Sequence, residues 1–150
     1  EISLGLVGSE MCIRDSFFVP ENLYIIGMMN TADRSLAMID YALRRRFSFF
    51  DMVPGFDSDG FKKYQENLDC DAFNRVIDAI KALNVEIAKD DSLGKGFCIG
   101  HSYFCNQESI DDMWLGNVIE YDIAPMLREY WFDNDKKFKE ETDKLLSLIK

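Results

Sequence analysis

Asn22-Leu23-Tyr24-Ile25-Ile26-Gly27-Met28-Met29, followed at once by Asn30-Thr31-Ala32-Asp33-Arg34-Ser35, changes character between one residue and the next. The first part is a short, continuous apolar run after Pro20, without polar alternation. Such a run predicts a strand covered on both faces, as in a mainly parallel sheet. The second part is polar and follows the carboxyl end of that strand, where open parallel sheets place the side chains that meet ligands. Asn30 and Asp33 are therefore site candidates by position. The alternative is a polar turn in which Asp33 or Ser35 caps the next helix.

Further along, Leu36, Ile39 and Leu43 recur at helical spacing and predict a short helix that ends in Arg44-Arg45-Arg46. Residues 47–53 read as a second strand, stopped by Pro54-Gly55. After that turn the period is helical. Phe73, Val76, Ile77, Ile80, Leu83 and Ile87 mark an amphipathic helix with Asp71 as its N-cap. Residues 94–100 form a glycine-punctuated loop, and a short apolar segment follows at residues 101–105. Ile110, Met113, Trp114, Val118 and Tyr121 begin another helix, kinked or restarted near Pro125, that continues through Met126, Leu127, Tyr130 and Trp131. Phe138, Leu145, Leu146 and Ile149 predict a last helix with an acidic and lysine-rich outer face. The layout is α/β to about Asp57 and all-helical beyond it.

Upstream, residues 1–16 do not flow into this pattern. Residues 8–16 resemble translated read-through of a sequencing adaptor, so residues 1–16 read as a non-native or disordered leader, with an ordinary surface segment as the alternative. The 150-residue chain is 47% hydrophobic and 13% aromatic, enough to pack a core. Its 27 acidic against 17 basic residues give a net charge of −10, which argues against direct contact with a nucleic acid backbone. Cysteines at 12, 70, 98 and 105 include no C-x-x-C pair and there is one histidine, so neither a zinc cage nor a disulfide framework is predicted. Reduced thiols point to the cytoplasm. No apolar run approaches the roughly 20 residues needed to span a bilayer.

Several blocks then combine into a resemblance. Residues 20–27, Met29-Asn30-Thr31-Ala32-Asp33-Arg34-Ser35 and Asp40-Tyr41-Ala42-Leu43-Arg44-Arg45-Arg46-Phe47 are followed by Leu93-Gly94-Lys95-Gly96-Phe97. Next come Ile99-Gly100-His101-Ser102-Tyr103-Phe104 and Asp122-Ile123-Ala124-Pro125-Met126-Leu127 with Glu129-Tyr130. In this order they resemble the McrB family of AAA+ proteins, the GTP-hydrolysing subunits of modification-dependent restriction systems, from residue 17 to the end.

The resemblance implies an α/β fold class: a partial AAA+ P-loop NTPase core, from the sensor-one strand to the last strand, over residues 17–57, then an all-helical AAA+ lid over residues 58–150. It implies GTP, with ATP as the alternative, and Mg2+, both bound mainly outside this chain. No G-x-x-x-x-G-K-[ST] occurs in the sequence, and Lys95 between two glycines lacks the rest of that motif. The implied partners are further copies of the subunit in a ring, a McrC-like nuclease, and DNA held by a domain outside this chain. No membrane is implied.

Roles carry over residue by residue. Asn30 matches the sensor-one asparagine, whose amide positions the attacking water, and Asp33 belongs to the same signature. Phosphoryl transfer depends on positioning and charge stabilisation, and a neutral amide orients water without repelling phosphate. Asn30-x-x-Asp33 also has the spacing of a guanine-reading motif, although AAA+ geometry sets this strand end beside the phosphates. Arg45 and Arg46 match arginine fingers acting on a neighbour's nucleotide. Their alternative is a basic last turn that complements the helix dipole, with Asp40 and Arg44 paired. His101 is a candidate cofactor contact where many AAA+ lids carry a sensor-two arginine. Beside Tyr103 and Phe104 it equally reads as a packed, hydrogen-bonded core residue. Two other functions stay open: a MoxR-like or dynein-like remodelling ATPase, and a non-catalytic helical interaction module.

Overall fold

The computed structural model describes residues 19–29 and 41–149. Its regular elements are α1 (Tyr41–Arg44), α2 (Asp59–Leu68), α3 (Asp71–Lys89), α4 (Asp112–Asn117), α5 (Ala124–Tyr130) and α6 (Asp135–Ser147). Two 3-10 turns, Lys95–Phe97 and His101–Phe104, lie between α3 and α4. The leader proposed at residues 1–16 and the signature at residues 30–35 lie outside the described residues.

The helical part follows from its apolar spacing. α3 buries Phe73, Val76, Ile77, Ile80, Leu83 and Ile87 along one stripe, the residues singled out by the sequence. Each of these contributes about 1.5–3 kcal/mol relative to leaving it exposed. Its N-cap is Cys70 rather than Asp71, with no side-chain hydrogen bond. Asp71 is the first helical residue, where a carboxylate complements the helix dipole without capping. α2 was not predicted. Ser58 caps it by accepting the Phe61 N–H at 3.2 Å, and Phe61 is buried with Tyr64 and Leu68 packed beside it.

Gly94 turns the chain after α3 with φ 86°, a conformation that favours glycine, and donates to the Ile87 carbonyl at 3.2 Å. The returning strand-like segment is then clamped by Asn84. Its amide donates to the Ile99 carbonyl at 2.9 Å and its carbonyl accepts the Ile99 N–H at 2.6 Å. Asn84→Ala leaves both backbone groups of a fully buried residue without these partners. It is expected to cost about 1–2 kcal/mol of stability in denaturant melts.

α4 and α5 form one path, joined by a π-helical segment, Val118–Ile123. Pro125 explains it. A proline ring crowds the carbonyl four residues earlier and brings no N–H, and a widened turn accommodates both defects. The irregularity expected near Pro125 therefore takes the form of a wide turn, which keeps Val118, Ile119 and Ile123 buried. α6 is capped by Asn134, whose side chain accepts the Lys137 N–H at 3.1 Å. Its far end is tied to α3 by Arg75, which donates through Nε and Nη2 to the Leu148 carbonyl at 3.2 and 3.0 Å. Lys137 Nζ sits 4.4 Å from the Trp131 ring centroid. The core joins Phe56 and Phe61 to α3, Ile99, Phe104, α4, the π segment, α5 and α6.

The two strands expected at residues 22–29 and 47–53 are not formed. Among the described residues there is no strand, and both segments are exposed and irregular. The α/β half of the expectation thus has no counterpart in the described residues, whereas the helical half is present. A run that is apolar on both faces specifies a strand only when neighbours supply its backbone partners and cover it. No described segment does so for either run.

Candidate functional site

Of the residues singled out for function, Asn30 and Asp33 lie outside the described residues, as does Asp40, the suggested partner of Arg44. Arg45 and Arg46 form an exposed turn directly after α1. The Arg44 guanidinium lies 5.8 Å from the Phe49 ring centroid, a cation–π contact. Arg44 therefore has a packing role of its own.

His101 opens the second 3-10 turn, just beyond the Asn84 clamp on Ile99. Its Nδ1 accepts the Gly55 N–H at 3.0 Å, so in the neutral ring the proton sits on Nε2. The ring meets Phe56 and Phe61 edge-on, with centroids at 6.1 and 6.0 Å. It lies so close over Gly55 that a Cβ there would be 3.1 Å from Cε1 and 3.2 Å from Nε2. Of its two readings, the packed and hydrogen-bonded one describes what Nδ1 does here.

The junction around Gly55 is anchored residue by residue. Ser58 Oγ donates to the Gly55 carbonyl at 2.7 Å, and Phe56 is buried to 3% exposure against Phe61 and Phe104. Asp57 accepts from Lys81 Nζ at 2.6 Å. That hydrogen bond and the lysine charge hold the Asp57 carboxyl below the usual carboxylate range. Gly55 and Asn84 were missed in the sequence because their partners are distant in the chain. α2 left a readable signal, Ser58 followed by Phe61, Tyr64 and Leu68.

At the first 3-10 turn, Tyr130 of α5 meets Phe97 edge-on, with ring centroids 5.3 Å apart. Burial, with Tyr103 and Glu129 nearby, pushes its hydroxyl up to about 12. The fold holds the neutral phenol, so this contribution to stability is intact below the ordinary value of 10 and is lost as pH rises through about 12. In an ultraviolet titration of the folded protein, Tyr130 is expected to ionise late, and Tyr130→Phe should remove that step. Burial also raises the thiols of Cys98 and Cys105, which suits inert packed cysteines.

No group of three or more His, Cys, Asp or Glu among the described residues could hold a metal ion. No helix among them is long and apolar enough to cross a membrane. Residues 75–139 match the family described as McrB, alpha-helical lid domain. The chain is also similar to the "Type IV methyl-directed restriction enzyme EcoKMcrB subunit" of Escherichia coli strain K12. The two are 50% identical over 139 residues, which is 88% of this chain and 30% of that protein. The chain thus spans less than a third of the relative's length. At the same time, the match leaves too little of the chain outside it to exclude Asn30, Asp33, Arg45, Arg46 or His101.

Proposed function

This chain belongs to the McrB family, and from that premise we propose that the whole protein is a AAA+ nucleoside-triphosphatase working as a restriction motor. It hydrolyses GTP, with ATP as the competitor to be tested, and drives DNA translocation for a McrC-like nuclease that cuts modified DNA. It acts as a homo-oligomeric ring in the cytoplasm, and DNA is read by a domain outside this chain. The observation that carries the reading is the 50% identity over 139 residues to a restriction-enzyme subunit, together with the match of residues 75–139 to the lid family.

Within this reading Asn30 orients the attacking water, Asp33 supports the same strand end, and Arg45 with Arg46 neutralises phosphate charge across a subunit boundary. The described residues offer no ligand cluster for Mg2+, which is assigned to the rest of the protein. The phosphate contacts are assigned to the rest of the protein, because the sequence has no phosphate loop. The 150-residue chain alone is accordingly expected to bind no nucleotide in calorimetry; micromolar GTP binding would contradict this.

The direct test is steady-state turnover by the whole protein with GTP and ATP side by side. Preference for GTP supports the reading. Hydrolysis of neither nucleotide, with the protein folded and assembled, would overturn it.

A further inference from the structure

We propose, independently of the hydrolase reading, that the outer face of α4, the π segment and α5 docks a basic amphipathic helix of another protein. Among the described residues from Phe56 onward, the exposed large apolar side chains are Val85, Tyr103, Met113, Tyr121 and Phe132. Scattered singly, such residues are ordinary, but three of these five fall on one line. Met113, Tyr121 and Phe132 are 75%, 69% and 82% exposed, and the exposed Pro125 lies between the last two.

The line follows from the helical path itself. Leu115, Val118, Ile119, Ile123 and Leu127 are in the core, and Met113, Tyr121, Pro125 and Phe132 occupy the opposite side. In an unbroken α-helix, residues at multiples of four positions drift around the axis, because about 3.6 residues complete a turn. The wider turn of the π segment takes up that drift. The irregularity that keeps the core stripe buried thus also keeps the outer stripe straight. From Met113 to Phe132 it runs about 30 Å, the length of a helix of about 20 residues.

Charge identifies what fits along it. The exposed acids Asp111, Asp112, Glu120, Asp122, Glu129 and Asp133 rim the stripe, against one basic residue in the same stretch, Arg128. The Arg128 guanidinium is already 5.4 Å from the Phe138 ring centroid. None of the six acids forms an ion pair with another described residue. α6 behaves differently and compensates its own charge, with Lys136 paired to Glu140 at 3.6 Å and Lys144 to Glu141 at 3.3 Å. An apolar crest with an uncompensated acidic rim is complementary to a helix whose apolar residues are flanked by Lys or Arg. The same rim repels nucleic acid and anionic lipid.

Peptide binding to the whole protein tests this by fluorescence anisotropy. The probes are a 20-residue amphipathic helical peptide with a leucine stripe flanked by lysines, and a companion with glutamates in place of the lysines. The lysine peptide is expected to bind at least about 10-fold more tightly than the companion, and less tightly as salt is raised. The triple variant Met113→Ser, Tyr121→Ser, Phe132→Ser should weaken binding by about 10-fold or more, because these side chains are the apolar anchors. It should leave the melting transition in place, since none of the three is in the core. Glu120→Lys with Glu129→Lys should shift the preference toward the glutamate companion.

Equal binding by the triple variant and the wild type would overturn the proposal and leave only diffuse charge attraction. Binding of neither peptide by the folded whole protein would also overturn it and assign the face to contact within that protein. Self-association of the wild type that the triple variant abolishes would assign the stripe to a second copy of the chain, and the proposed partner would be wrong.

Discussion

Arg45→Ala in the whole protein is expected to lower nucleotide turnover on the order of 10³-fold, the scale of an arginine finger that meets charge developing on a transferred phosphoryl group. Arg45 lies in the exposed turn after α1, outside the packed helical core. Its loss should therefore leave the packed core of the lid intact. A basic residue that only complements a helix dipole is worth ~0.3–1 kcal/mol of stability, and its removal would leave turnover intact. The two roles thus differ in both the size and the kind of effect. Arg45→Lys separates charge from geometry, because lysine keeps the charge but not the planar fork that can grip two oxygens at once; it should recover little of the rate. Arg46→Ala is the companion variant. Arg44, already over Phe49, should behave as a packing residue, with stability rather than turnover as its readout.

Asn30→Ala is expected to lower kcat by roughly 10²-fold or more with nucleotide affinity nearly unchanged. A group that positions the attacking water is used mainly in the transition state, and so its loss appears in kcat. An equal loss in binding would make Asn30 a ground-state contact instead. Asn30→Asp sharpens the test by exchanging a neutral amide for a carboxylate of similar shape. If the side chain faces the phosphates, the added charge should be at least as damaging as alanine.

The helical half of the chain was legible in the sequence because its signal is local. The stripe from Phe73 to Ile87 needs only its own spacing to be read, and the structure buries each of its residues. The effect of Pro125 was readable for the same reason, although a wide π segment takes the strain in place of a bend. α2 was passed over because its apolar residues are few and Lys62, Lys63 and Glu66 dilute them. The runs at residues 22–29 and 47–53 carry a signal of the opposite kind. The first is apolar on both sides and the second is a strand-like stretch broken by Ser48 and Asp51; each describes a place beside neighbours, and that place cannot be formed by the run itself. The anchors around Gly55 were invisible for a related reason: Gly55–His101 and Asn84–Ile99 join residues distant in the chain, and nothing in the spacing of one announces the other. For the proposed site, Arg45 and Arg46 were found as a basic run, but their role came from the resemblance of whole blocks and not from the arginines themselves.

Mixed assemblies test the central claim, that this chain supplies the arginine turn of a ring hydrolase, most directly. Whole-protein Arg45→Ala is combined with a second variant inactivated in its phosphate loop, each nearly inactive alone. If Arg45 serves the neighbouring subunit, some interfaces in the mixed rings pair an intact loop with an intact arginine, and turnover should return. If the two variants demonstrably co-assemble and no activity returns at any ratio, Arg45 does not act across the boundary and the account is wrong at its centre.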